Sequence, residues 1–241
     1  MQPKPCNQAS PRHGRGLIIY DFDGVIADSE VIANAVLAEM VTELGRPTTL
    51  ADCYRLYMGK RFVDVVAAIE ASLGSSLPEG FAASYQARTL VHLQRDLRTV
   101  AGARQHILAF SRTPKCIASS SSPDRLAVCL EVLGLQAEFD DRVYSAASVA
   151  RGKPYPDIFL HAAAHMGVRP AHCLVIEDSA SGVEAARAAG MAVIAVLAAS
   201  HIQADHQQRL LQAGAQRVAL TFAQAEKFTR EFLVTLGDQG E

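Results

Sequence analysis

A Rossmann-like, doubly wound parallel β-sheet of the α/β class, carrying an inserted all-helical segment, is predicted by three features of this sequence. Short apolar or β-branched runs alternate with longer runs of helical period. The short runs are apolar on both faces, the pattern of strands covered by helices above and below. One long stretch, residues 30–99, has helical periodicity and no strand pattern.

Strands are expected at Gly16-Leu-Ile-Ile-Tyr20, Lys115-Cys-Ile-Ala118, Arg142-Val-Tyr144, Cys173-Leu-Val-Ile176 and Ala192-Val-Ile-Ala-Val196. Helices are expected over 123–133, 156–166, 181–189, 202–213 and 222–235. Ser122-Pro123 reads as an N-cap followed by proline at the first helical position. Ser181-Gly-Val-Glu184 reads as a capping box. Gly134 and Gly190 stand where C-terminal glycines belong.

Within the insert, helical patterns run near 30–44, 50–57, 62–72 and 79–97, punctuated by Gly45, Pro47, Gly59, Gly74 and Pro78. The expected plan is a disordered N-terminal tail over 1–15, an α/β core from 16–29 and 100–241, and a helical cap over 30–99.

The chain has 241 residues, of which 49% are hydrophobic, enough to bury a full core. Charged residues make up 20% and the formal net charge is -2, which gives no basic nucleic-acid surface and no polybasic membrane patch. The longest apolar run, Met191 to Ala199, is too short to span a bilayer. Five cysteines, odd in number and without a CxxC pair, fit reduced thiols in a cytoplasmic protein. Lys4, Arg12 and Arg15 in the tail are followed by no apolar signal-peptide core, because Leu17 to Ile19 runs straight into Asp21.

In an open parallel sheet, ligands bind at the carboxyl ends of the strands. Asp21-Phe-Asp23-Gly24 follows the first strand and Ser119-Ser-Ser-Ser122 the second. Arg151-Gly-Lys153-Pro154 follows the third, and Glu177-Asp178-Ser179 the fourth. Taken singly, these are a turn, a helix cap, a solvated lysine and helix-dipole decoration. Taken together, they gather four carboxylates on one sheet edge, where each close pair repels by roughly 1–4 kcal/mol. Such a cluster calls for a cation, and Asp/Glu oxygens suit a hard one such as Mg²⁺.

The ordered set resembles the haloacid dehalogenase-like hydrolase superfamily, in the branch with a helical cap inserted after the first motif. Asp21-Phe-Asp-Gly-Val-Ile-Ala-Asp28-Ser-Glu30 is similar to its first motif and Ser119 stands at the second. Lys153, in Gly-Lys-Pro-Tyr-Pro-Asp157, stands at the third and Glu177-Asp178 at the fourth. The resemblance covers about residues 16–198. It implies a Mg²⁺-dependent phosphatase that forms an aspartyl-phosphate on Asp21. Lys153 offsets phosphate charge, and Asp23 serves as general acid and base. The metal would be shared by Asp21, the backbone carbonyl of Asp23, Asp178 and, directly or through water, Glu177. Ser119 and Lys153 would hold phosphate oxygens, with Ser120 or Ser121 open as a second hydroxyl contact.

Asp23 argues for phosphate esters, since members that cleave carbon–halogen bonds need no acid two residues after the nucleophile. Beta-phosphoglucomutase is the rival within the family. It has a histidine where this chain has Ala33 and a cap arginine where this chain has Phe62. A non-catalytic binding protein on the same fold is the other alternative, against which Asp21, Lys153 and Asp178 are all present. Lys60 and Arg61 are the expected cap contacts for a second anionic group, in a region resembling sugar-phosphate phosphatases of the 6-phosphogluconate type. His161-Ala-Ala-Ala-His165 has zinc-compatible spacing without a third ligand and reads as a helix surface. The expected partner is a small phosphorylated metabolite, handled by a monomer or weak homo-oligomer, with neither nucleic acid nor membrane.

Overall fold

The computed structural model describes residues 16–57 and 62–237. The tail over 1–15 and the cap residues Lys60 and Arg61 lie outside them. The order of elements is β1 (Leu17–Tyr20), α1 (Glu30–Glu43), α2 (Leu50–Leu56), α3 (Phe62–Leu73), α4 (Phe81–Asp96) and α5 (Ala103–Ala109). There follow β2 (Lys115–Ser119), α6 (Pro123–Leu133), α7 (Gln136–Phe139), β3 (Val143–Ser145) and α8 (Asp157–His165). The chain continues through β4 (Cys173–Glu177), α9 (Ala180–Ala188), β5 (Ala192–Val196), α10 (His206–Gln212), β6 (Arg217–Ala219) and α11 (Phe222–Gly237).

The strands form one parallel six-stranded sheet in the order β3-β2-β1-β4-β5-β6. β1 is central, with Ile19 in register with Cys116 on one side and Val175 on the other. The winding direction reverses between β1 and β4, which opens a crevice at their carboxyl ends. Asp21 and Glu177-Asp178 stand at that point.

Alternation along the strands sorts their side chains to two covered faces. Ile18, Tyr20, Ile117, Ile176 and Ile194 pack in a cluster that includes Ile107 of α5, Leu130 of α6 and Phe222 of α11. Leu17, Ile19, Cys116, Val175 and Val193 pack with Phe159 of α8, Val183 of α9 and Leu210 of α10. At about 1.5–3 kcal/mol per fully buried Leu or Ile side chain, burial on both faces holds β1 at the centre. A third cluster belongs to α1–α4 alone, with Leu37, Val41, Cys53, Ile69 and Phe81 at its heart. No helix among the described residues is long and apolar enough to cross a membrane.

The two connections between the helical segment and the sheet run side by side. Val100 N–H donates to Ile26 O at 2.9 Å and Asp28 N–H to Arg98 O at 3.0 Å. Ala27 also bridges Thr99 in antiparallel sense.

Several local expectations change. β6 has only three residues, opens on an exposed Arg217 and sits at the sheet edge, so its sequence carries almost no strand pattern. α5 and α7 are single short helices that the periodicity did not reveal. The third strand shifts one residue, to Val143–Ser145. α9 starts earlier than expected: Ser179 is the N-cap and its Oγ accepts from Gly182 N–H at 3.1 Å, so Ser181-Glu184 is not a capping box. α10 starts at His206, after a turn over 204–205. The Ser122 cap holds, with proline at the first turn of α6 and Gly134 at its C-cap in the left-handed conformation.

Candidate active site

The β1–β4 ladder runs one residue past the strand, since Asp21 N–H donates to Ile176 O at 2.9 Å. This places the Asp21 carboxylate beside the end of β4. Asp21, Glu177 and Asp178 each present a carboxylate oxygen within 4.8 Å of the others, and all three are buried. A turn at Gly24, where φ is +79°, then carries the chain back across the site. A Cβ at Gly24 would stand 1.9 Å from Asp178 Oδ2, so glycine is required both by the backbone and by this approach.

Lys153 Nζ lies between two of the acids, donating to Asp21 Oδ1 and to Glu177 Oε1, each at 2.6 Å. Glu177 is fully buried. Its other oxygen accepts from Asp178 N–H (2.8 Å), Ser179 N–H (2.8 Å) and Ser179 Oγ (2.9 Å). Glu177 thus ties Lys153 to the loop that enters α9. Gly182 makes room for it: a Cβ there would meet Glu177 Oε1 at 1.7 Å.

The Asp23 carboxylate sits apart from this trio. Oδ1 accepts from Ser29 Oγ (2.5 Å) and Arg125 Nη2 (2.7 Å), and Oδ2 accepts from Ser121 Oγ (2.6 Å). Ser119 Oγ accepts from Ser121 N–H at 3.0 Å, which folds the serine turn at the start of α6. Ser121 is thus tied to Asp23, while Ser119 and Ser120 both line the cavity of the site.

One cavity of about 400 Å³ gathers Asp21, Asp23, Ser119, Ser120, Lys153 and Asp178. Every predicted core site residue lines it except Glu177, which buttresses the site from inside. Lys60 and Arg61 lie outside the described residues. The wall also includes Glu30, Ser121, Arg125, His201, His206 and Arg209. Glu30 lies within the motif already quoted. Arg125 gave no signal, being one arginine on a helix surface. His201 was accessible by the same logic that found the others, because it follows the end of β5.

Electrostatics divide the site in two. Burial, with Glu177 and Asp178 nearby, raises the Asp21 carboxyl well above the usual carboxylate range, while Lys153 works in the opposite direction. Burial, then Glu177 and Glu30, raises Asp178 likewise. Burial also disfavours the Lys153 ammonium, but Asp21 and Glu177 more than offset it and keep the lysine charged. Asp23 behaves differently: burial opposes its ionisation, yet Arg125, Ser121 and Ser29 hold it below the ordinary range. The cost of ionisation, burial first and neighbouring acids second, is thus concentrated on Asp21 and Asp178. A divalent cation bound to hard oxygen ligands relieves it, so the residues present fit Mg²⁺ or an ion of similar chemistry.

His161 and His165 do not line this cavity and pack against the Tyr144 ring, at 5.6 Å and 5.5 Å between centroids.

Comparison with known proteins places the arrangement. The chain is 25% identical over 185 residues to the 6-phosphogluconate phosphatase of Escherichia coli K12, covering 76% of this chain and 83% of that one. It is 31% identical over 180 residues to the phosphorylated carbohydrates phosphatase of Thermotoga maritima, covering 72% and 81%. A crystal structure of a conserved haloacid dehalogenase-like protein from Agrobacterium tumefaciens superposes with a TM-score of 0.82 at 36% identity, covering 90% of this chain and 99% of that one. The family model for haloacid dehalogenase-like hydrolases matches residues 16–190, which include all four motif positions, and the chain belongs to that family.

Proposed function

We propose that this protein is a Mg²⁺-dependent phosphatase of a small phosphorylated metabolite, a sugar phosphate or phosphorylated sugar acid. The observation that carries the reading is Lys153 held between Asp21 and Glu177, with Asp178 completing an acidic cluster on the cavity that Asp23 also lines. The phosphatase names of the two relatives point the same way.

Mg²⁺, when bound, supplies positive charge that screens the incoming phosphate from the carboxylates. Asp21 and Asp178 are the side chains suited to hold it, joined by the carbonyl of Asp23. Both oxygens of Glu177 are engaged by Lys153 and the α9 loop, so Glu177 serves as a buttress or reaches the ion through water.

Asp21 attacks phosphorus, and the bond from phosphorus to the leaving oxygen breaks. Asp23 takes the proton that a phosphate monoanion carries in and gives it to that oxygen. Water then attacks the aspartyl-phosphate, Asp23 takes the water's proton, and the Asp21 carboxylate is released with inorganic phosphate. The Arg125, Ser29 and Ser121 contacts favour the ionised Asp23 needed to receive that proton. Lys153 and Ser119 hold phosphate oxygens, and α1–α4 act as a cap that excludes bulk water.

The mutase alternative is disfavoured by two residues. Ala33 is buried in α1 with no imidazole to offer, and Phe62 stacks on Tyr85 at 5.3 Å between ring centroids. The test is hydrolysis of an aryl phosphate by wild type with Mg²⁺, by wild type without it, and by Asp21→Asn. Mg²⁺-dependent activity lost in the variant is expected. Wild type with Mg²⁺ performing no better than Asp21→Asn would leave a binding protein. A panel of phosphorylated sugars and sugar acids, scored for inorganic phosphate, then finds the substrate class; transfer between sugar hydroxyls would instead indicate a mutase.

A further inference from the structure

Among the described residues, Asp178 differs from the other acids of the cluster in having no ammonium partner. Both Lys153 hydrogen bonds go to Asp21 and Glu177. Among the described residues the Asp178 carboxylate meets one side-chain partner, His201, whose Nε2 lies 3.3 Å from Asp178 Oδ2. The His201 side chain is only 4% exposed, and its Nδ1 is buried without a partner among the described residues. Of the two ring nitrogens, Nε2 is the one that faces the Asp178 carboxylate.

The backbone of the same residue is held from α10. His206 Nε2 lies 2.5 Å from Asp178 O. Arg209 Nη2, which can only donate, meets His206 Nδ1 at 2.9 Å. That contact makes Nδ1 the acceptor and leaves Nε2–H to donate to the Asp178 carbonyl. The two rings meet edge to face, 5.8 Å between centroids. Two histidines that adjoin one another thus grip both the carbonyl and the carboxylate of one acid, and neither has another role in the chemistry above.

We infer that His201 and His206 are positioning residues for the divalent cation: His206 fixes the Asp178 carbonyl and His201 orients its carboxylate toward the ion. This rests on the metal-dependent reading above. Groups that orient metal ligands in this manner commonly govern affinity for the ion.

The experiment measures ion binding directly on the full chain, by Mn²⁺ titration followed by electron paramagnetic resonance and by Mg²⁺ calorimetry, without substrate. His206→Leu and His201→Phe are expected to weaken binding about 10- to 100-fold, while His206→Gln, whose amide can donate from nearly the same place, loses no more than about threefold. At saturating Mg²⁺ the variants should recover substrate KM, separating a defect in the ion site from one in substrate binding. Adding His201→Phe to Asp178→Asn should cost little more than Asp178→Asn alone. His201→Phe and His206→Leu binding Mn²⁺ within about twofold of wild type, or additivity with Asp178→Asn, would overturn the inference. Should His206→Leu fold poorly, the His201→Phe and His206→Gln titrations decide the matter. Failure of wild type to bind either ion would instead defeat the metal-dependent reading itself.

Discussion

Gly182→Ala offers a sharp test of how the site is held. By helix propensity alone the change should stabilise α9 by about 1 kcal/mol. The new Cβ, however, would lie 1.7 Å from Glu177 Oε1 and 2.0 Å from its Cδ. A free side chain could turn aside, but this carboxylate is fully buried and fixed by Lys153, two backbone N–H groups and Ser179 Oγ. Overpacking a buried site costs about 1–3 kcal/mol. Losing the charge-assisted contact to Lys153 adds about 1.5–3 kcal/mol. The net expectation is destabilisation by about 1.5–5 kcal/mol, or a fall in Tm of roughly 3–20 °C for a domain of this size. Calorimetry or urea unfolding of variant and wild type measures it, and phosphatase activity should fall in parallel because Lys153 loses one of its two anchors. A Tm equal to or above wild type would refute the reasoning, since it would mean that Glu177 has room to move.

Other expectations follow from the same contacts. Lys153→Met leaves Asp21 and Glu177 buried without their cation; it should destabilise the protein by about 3–5 kcal/mol and abolish activity. Added Mg²⁺ should recover part of the lost Tm, read by thermal shift, but none of the turnover. His106 lies in a buried chain from Tyr20 Oη (2.9 Å) to Thr229 Oγ1 (3.2 Å), and Thr229 spends its proton on Ala225 O. Nε2 therefore donates to Thr229, and in the neutral ring Nδ1 accepts from Tyr20. Burial pushes its pKa down to about 4. A histidine whose folded pKa is depressed destabilises on acidification, so stability should fall between pH ~6.5 and ~4, by up to about 3 kcal/mol. Urea midpoints across that window should drop less steeply in His106→Gln; identical slopes would show that His106 does not carry the dependence.

The strands that the sequence displayed best are the ones buried on both faces. β1, β2, β4 and β5 each carry an apolar run of three residues or more because helices cover each side of them. β6 pairs on one side only and has a single buried residue, so local pattern could not distinguish it from a loop. The acids, Ser119 and Lys153 were legible because their positions are fixed by strand ends, which a sequence reveals. Arg125 enters through the face of a helix, and His206 through packing of α10 onto the β4 loop. Contacts of that kind depend on how elements dock and leave no spacing to read. His201 is an intermediate case: the rule applied to the other strands points to it once the segment after β5 is read the same way. The start of α9 was misplaced because two serines compete for the cap, and burial of Glu177 beside Ser179 decides between them.

The bonded pair of legs beneath α1–α4 has a mechanical consequence. Segments bonded to each other at Ile26–Val100 and Asp28–Arg98 resist sliding independently. The helices they carry are thus seated on a paired base, unlike a load on a single tether, and Leu93 of α4 packs into the core cluster as a further point of attachment. A residue inserted into one leg without a match in the other would tilt that base and misalign the whole assembly above it.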